Sequence, residues 1–317
     1  MIAGSCIVDG TDIGTLGAFI EQDGSDDFLS FPDRRTPDQN DWAEHDGLDV
    51  DLSDLSFDAK KVTVNYVMIA NDETTFKRNL NAFKTMHFAT GYRSVFVKEF
   101  NRTFHLRFVG FANYSHKGGL AKSGKKTGKI TVEYNMDDPL QFFTPAIDTP
   151  ISTRTTLSYV TLNGIDLSRF GIVVRDIYST VLRPHSAKAR LERKINDVSG
   201  VIADTGIIPS RQGRQITIEC VMMAGTLSEF MTNYNALFNN LRIIKPVKLG
   251  ITRTATMIQC YYSKMSGLKK ETPFSRKIKM SFNLILQEVT LMQLLRLLSS
   301  QRGLIVTEDY NYIELNY

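Results

Sequence analysis

The stretch Gly119-Leu120-Ala121-Lys122-Ser123-Gly124-Lys125-Lys126 falls one residue short of a phosphate-binding loop. Two glycines and a lysine stand at the required spacing, but Lys126 occupies the place of the serine or threonine hydroxyl that would ligate magnesium. Such a loop also needs a helix behind it to lend N-terminal amides to the phosphates, whereas Lys129-Ile130-Thr131-Val132 reads as a strand. The segment is therefore a basic β-loop, and Lys117, Lys122, Lys125 and Lys126 are candidate contacts for an anion of the nonspecific kind that a phosphate backbone offers. No row of aromatic residues accompanies it as a stacking platform.

A second candidate, Asp49-Val50-Asp51-Leu52-Ser53-Asp54, has the carboxylate spacing that opens a calcium loop. Its sixth position is Asp54 rather than glycine and its twelfth is Lys60 rather than glutamate, which excludes an EF-hand and leaves only an irregular cation site. The five histidines, His45, His87, His105, His116 and His185, have neither metal-ligand nor triad spacing. Glu99 and Glu133 could meet as a carboxylate pair only by folding, and nothing in their neighbourhood selects them. Cys6, Cys220 and Cys260 are an odd, scattered set that fits synthesis in a reducing compartment. The expectation is a protein without catalytic residues, cofactor or metal.

The elements that position these residues come in two sets. Val62-Thr63-Val64-Asn65-Tyr66-Val67-Met68-Ile69-Ala70, with Phe76 and Asn79-Leu80-Asn81-Ala82-Phe83 following, returns as Ile216-Thr217-Ile218-Glu219-Cys220-Val221-Met222-Met223-Ala224, with Phe230 and Asn233-Tyr234-Asn235-Ala236-Leu237. The spacing is a constant 154 residues, and Gly10/Gly164, Asp12/Asp166 and Gly17/Gly171 keep it, so a duplicated unit begins at the first strand. In each unit a strand runs into a helix whose apolar stripe, Phe76, Leu80, Phe83 and His87 or Phe230, Tyr234, Leu237 and Leu241, must pack on a sheet. Asp72 and Thr226 are the expected N-caps, and Gly91 and Pro246 the stops. Two β-patterned runs follow, 93–100 and 103–114 in one unit, 247–253 and 256–265 in the other. Loops at 117–128 and 266–276 lead to closing strands at 129–136 and 277–286.

Between the opening hairpin and the central strand each unit carries a long polar arm. Residues 23–60 hold twelve acidic side chains against three basic ones, a net charge of −9; residues 177–214 hold seven basic against three acidic, net +4. Arms equivalent in fold and opposite in charge can lie against each other, within a chain or between neighbouring chains. Asp49, Asp51 and Asp54 on one side and Arg190, Arg193 and Lys194 on the other are the candidate assembly contacts. The proline-rich segment 138–158 is the connector, so the expected organisation is a first domain at 1–150, a second at 151–288, and an extension at 289–317 made of an apolar helix from Val289 to Leu298 and a small hairpin.

A hydrophobic fraction of 42% and a charged fraction of 23% are those of a globular chain with a core in each domain, and a net charge of +4 is too small for a nucleic-acid binder. No run of about eighteen apolar residues offers a membrane span, and residues 1–10 have no signal-peptide pattern. A faint lipidation pattern, Ala3-Gly4-Ser5-Cys6, lacks the segment that would engage a membrane.

Asn163-Gly164-Ile165-Asp166-Leu167-Ser168-Arg169-Phe170-Gly171-Ile172-Val173-Val174 resembles the opening strand phrase of the distal tail protein family of long-tailed bacteriophages, often called Dit. Asn135-Met136-Asp137-Asp138-Pro139-Leu140-Gln141-Phe142-Phe143 is similar to the phrase that ends that family's first domain. With the order hairpin, arm, strand, helix, hairpin, strand, the resemblance implies an α+β chain of two tandem tail-tube-like domains, each a mainly antiparallel β-sandwich or open barrel with one packed helix and a long arm. It implies a structural virion protein, assembled in the host cytoplasm and placed at the tail tip, forming a ring around the DNA conduit as a trimer of pseudo-sixfold symmetry or a hexamer. The implied partners are copies of itself, the tail tube protein, a tail-tip hub or tail-associated protein, and receptor-binding or baseplate proteins, with DNA only in transit and no membrane insertion. Family members follow the first domain with a lectin-like module; here a second tube-like unit follows, so carbohydrate binding does not carry over. The rival readings are a duplicated tube or adaptor protein of a contractile injection system, and a ligand-binding or enzymatic α+β protein.

Overall fold

In the computed structural model, residues 4–117, 124–189, 192–196, 199–203, 206, 208–272, 277–289, 304–306 and 312–314 are described. The N-terminal half supplies strands β1 (Cys6–Val8), β2 (Thr11–Asp12), β3 (Ala18–Ile20), β4 (Lys60–Ala70), β5 (Arg93–Val97), β6 (Arg102–Lys117) and β7 (Lys126–Met136), with helix α1 (Glu73–His87) between β4 and β5. The C-terminal half supplies β8 (Val160–Leu162), β9 (Ile165–Asp166), β10 (Ile172–Asp176), β11 (Gln215–Ala224), helix α2 (Leu227–Leu241), β12 (Val247–Ile251), β13 (Thr256–Lys270) and β14 (Ile278–Glu288). Each set forms one seven-stranded, wholly antiparallel sheet. The orders are 2-1-5-6-7-4-3 and 9-8-12-13-14-11-10, so each strand of the second sheet takes the place of the strand seven numbers earlier. The chain is mostly β, with few helices.

The same local devices build both sheets. Asp12 and Asp166 accept backbone amides, from Gly14 and Ser168, to cap a single 3-10 turn that ends at Gly17 (φ 66°) and Gly171 (φ 75°). A Cβ at either glycine would lie 2.2 Å from the Ile69 carbonyl oxygen or 2.5 Å from that of Met223, so only glycine closes this turn against the central strand. Asp72 caps α1 by accepting from Thr75 N, and Thr226 caps α2 by accepting from Glu229 N. The Glu229 carboxylate reaches back to Gly225 N, as in a capping box. Phe76, Phe83 and His87 on α1, and Phe230, Tyr234, Leu237 and Leu241 on α2, are buried against the sheets in one continuous core.

Several boundaries differ from those expected. β7 starts at Lys126 rather than Lys129, because Ala70 pairs with Lys126 at the end of an unbroken eleven-residue ladder. β6 reaches Lys117 and β13 reaches Lys270, which shortens both following loops. The terminal hairpin pairs Leu304–Val306 with Tyr312–Glu314. The expected helix beyond Val289 lies outside the described residues.

Candidate assembly interface

The first arm is not the solvated loop its acidity suggests. Phe28 and Leu29 in the turn Asp26–Leu29, and Phe31 and Pro32 just after it, are buried. Phe28 packs on Phe104 of its own half, with ring centres 4.5 Å apart. Phe31 points the other way. It lies 4.6 Å from the Tyr234 ring, 4.9 Å from Phe238 and 6.3 Å from Tyr262, all in the second half. The polar tips of those rings are satisfied by the arm's own backbone. Tyr234 Oη donates to the Leu29 carbonyl and Tyr262 Oη donates to the Pro32 carbonyl at 3.1 Å.

Two residues further on, Arg34 N donates to the Ser263 carbonyl at 2.8 Å. Ser263 is the residue skipped where β13 bulges against β14, so the bulge is where the arm attaches. The Arg34 guanidinium, almost wholly buried, donates to the carbonyls of Ile243 (3.4 Å) and Asp54 (3.2 Å) and lies 5.5 Å from the centre of the Tyr261 ring. At the base of the arm Lys60 is buried, donating to the carbonyls of Phe28 (3.0 Å) and Ser30 (2.5 Å), and burial pushes its ammonium down to about 7.

A polar clamp closes the other side of the contact between the halves. Lys270 Nζ pairs with Glu99 at 2.7 Å and with Ser25 Oγ at 3.3 Å, while Lys270 N donates to Asp26 at 3.1 Å. Glu99 belongs to the turn between β5 and β6, so three groups of the first half converge on one lysine of the second. Burial raises the Asp26 carboxyl above its ordinary range. The carboxylate pair considered from sequence does not form, since Glu133 pairs instead with Lys61.

The two arms touch at the far end. Lys188 Nζ pairs with Asp41 at 2.5 Å and donates to the carbonyls of Trp42 (2.8 Å) and Gly47 (2.6 Å); Arg211 N donates to Asp46 Oδ1 at 2.6 Å. Among the described residues, the bonds between the arms use Asp41, Asp46 and Lys188 rather than the residues nominated from sequence. Asp51 caps its own turn by accepting from Ser53 N, Asp54 contributes only its carbonyl, and Asp49 lies exposed in the short ribbon Gln39–Asn40/Asp49–Val50. Arg193 and Lys194 are exposed, and Arg190 lies outside the described residues. Of the candidate anion contacts, Lys117 closes β6 and Lys125 is exposed, but Lys126 is a buried residue of β7 and so is not on the loop; Lys122 lies outside the described residues.

His87 is a core residue, as its place on the helical stripe requires. Nδ1 lies 2.7 Å from the Phe83 carbonyl, to which it donates, so in the neutral ring Nε2, 2.6 Å from Tyr134 Oη, is the acceptor. Burial holds its pKa down to about 4. A base with a depressed folded pKa contributes its full stability above the unfolded value near 6.5 and loses it as pH falls toward 4. The expected loss is about 3 kcal/mol across that window. Substituting His87→Leu, the residue type at the equivalent position 241, removes this pH dependence; urea titrations at pH 7 and pH 4 check it, and an unchanged pH slope in the variant contradicts the assignment.

Among the described residues no group of three or more His, Cys, Asp or Glu side chains could hold a metal ion, and no helix is long and apolar enough to cross a membrane. The three cysteines are free and buried, with thiols pushed up by burial. What the geometry defines is a mostly β chain of two sheets of like strand order, the arm of one clamped across the other. No protein-family model matches the chain, and no curated protein matches it. Among solved structures it is similar to the Dit (gp 19.1) protein of SPP1, described as a paradigm of the hub adsorption apparatus in Gram-positive-infecting phages. The identity is 11%, 92% of this chain and 100% of that chain are covered, and the TM-score is 0.33.

Proposed function

We propose that the chain is a structural virion protein, a ring-forming distal-tail or baseplate-hub component that surrounds the DNA conduit at a phage tail tip. The observation that carries this reading is the arm of the first unit gripping the second through Phe31, Arg34 and the bulge at Ser263. The reading takes 1–150 and 151–288 as duplicated units, which the 154-residue spacing and the common strand order support, and takes their tail-tube character from the resemblance of 163–174 and 135–143 to the family's phrases. A unit that hands an arm to an equivalent unit makes a head-to-tail contact, and such contacts close into rings when the rotation per unit divides a full turn. Two units per chain give three chains in a pseudo-sixfold ring, or six chains in two stacked rings. The tube protein, hub or tail-associated proteins and receptor-binding proteins are the proposed neighbours, with Lys117 and Lys125 as candidate contacts for the DNA in transit. Electron microscopy of the purified protein tests this: axial views should show a ring of six lobes, or a multiple, around an open centre. Monodisperse particles without a central opening would refute it.

A further inference from the structure

The two arms are equivalent residue by residue at their bases, offset by 153 residues on the outgoing limb and by 154 on the returning one. Arg35 N donates to the Ser56 carbonyl as Lys188 N does to that of Ser210, and Asp58 N to Asp33 as Gln212 N to Ser186. Thr63 N is held by the Asp27 side chain as Thr217 N is by that of Thr180. Isolated bridges join Arg34 to Phe57 and Ala187 to Arg211. Leu182 to Ala187 is therefore the counterpart of Leu29 to Arg34. Yet Leu29, Phe31, Pro32 and Arg34 are buried under the second half, whereas Leu182 is 64% exposed and Pro184, Ser186 and Ala187 are exposed as well.

The receiving surface is duplicated too, and its counterpart is equally uncovered. β6 bulges against β7 at Val109, the place equivalent to Ser263, and Val109 is 49% exposed. Beside it Phe88 is 69% exposed, although its ring lies only 5.4 Å from that of Phe108. A surface cavity of about 320 Å³ opens there between Phe88, Ala89, Tyr92, Arg107 and Phe108. Ala89 and Arg107 are the counterparts of Ile243 and Tyr261, which seat Arg34 in the second half. In the first half the cation has changed sides: Arg107 is part of the surface, held by Asp137 at 2.7 Å, and the arm carries Ala187 where Arg34 would stand. A small residue is what that seat can accept beside a guanidinium already in place.

We propose that Leu182–Ala187 of one chain lies across the bulge at Val109 of a second copy of this chain, repeating between chains the contact that Leu29–Arg34 makes within one. The interaction is head-to-tail, with the second arm as donor and the C-terminal end of α1 with the β6 bulge as acceptor. It rests on the self-assembly reading above and names the surfaces that close the ring.

Sedimentation velocity over a range of concentrations tests it with wild type, Leu182→Asp, Phe88→Asp and Val109→Asp. All three substitutions are at exposed sites, and unchanged circular dichroism and melting confirm folded monomers; Val109→Asp serves if Phe88→Asp does not fold. Each variant should raise the association midpoint by about thirtyfold or more, the effect of losing a central interface anchor. An equimolar mixture of Leu182→Asp with Phe88→Asp should give a one-to-one dimer, because one intact arm still meets one intact bulge. Variants that assemble like wild type would overturn the proposed surfaces and leave the ring standing. A mixture that stays monomeric would overturn the pairing of these two surfaces, and a wild type monomeric at every concentration would overturn both readings.

Discussion

Substituting Phe31→Ala should cost about 3–5 kcal/mol of stability, as large-to-small changes at closely packed aromatic sites do. Phe31 touches Tyr234, Phe238 and Tyr262 at once, and its loss also loosens the arm backbone on which the hydroxyls of Tyr234 and Tyr262 depend. Pro184→Ala is the matched control. It stands at the equivalent point of the second arm but is exposed in the single chain, so it should change monomer stability by no more than about 0.5 kcal/mol. Chemical unfolding of both variants decides the matter. Equal, small effects would mean that the first arm is not clamped onto the second half.

Lys270→Ala should be nearly as damaging, at about 3–5 kcal/mol, because it takes the ammonium away from the buried Glu99 carboxylate and from Ser25 while both stay buried. The penalty comes from keeping a carboxylate buried without this cation more than from the lost attraction. The double variant Glu99→Gln with Lys270→Met should therefore recover a large part of it, and the coupling can be read from a double-mutant cycle. If the single and double variants are equally unstable, the ion pair is not what holds this side of the contact. A proteolysis pattern in which the connector at 138–158 becomes accessible in Lys270→Ala would show which contact gives way.

The elements were legible in the sequence wherever the signal was local. The strand-to-helix unit, its caps at Asp72 and Thr226, the glycine turn at Gly17 and Gly171 and the inward-facing His87 all follow from spacing and residue type within one unit. The interface was not, because its signal is nonlocal. Phe28, Leu29 and Phe31 stand in an acidic run without period, and the partners of Phe31 lie some two hundred residues away. Net charge pointed correctly to contact between the arms but could not choose the residues. The ion pair uses Asp41 and Lys188, Asp46 accepts from the Arg211 backbone amide, and Lys188 also donates to the carbonyls of Trp42 and Gly47, backbone groups that a sequence does not distinguish. The near phosphate-loop pattern, with a strand expected only from Lys129, puts Lys126 on a loop, whereas the ladder with β4 continues two residues past Gly128.

Native mass spectrometry of the wild-type protein, across concentrations, tests most directly whether each unit hands its arm to the next. Discrete assemblies of three or six chains, with no stable dimer, are expected from a head-to-tail contact that closes. Monomers throughout, or a dimer that does not grow, would contradict it.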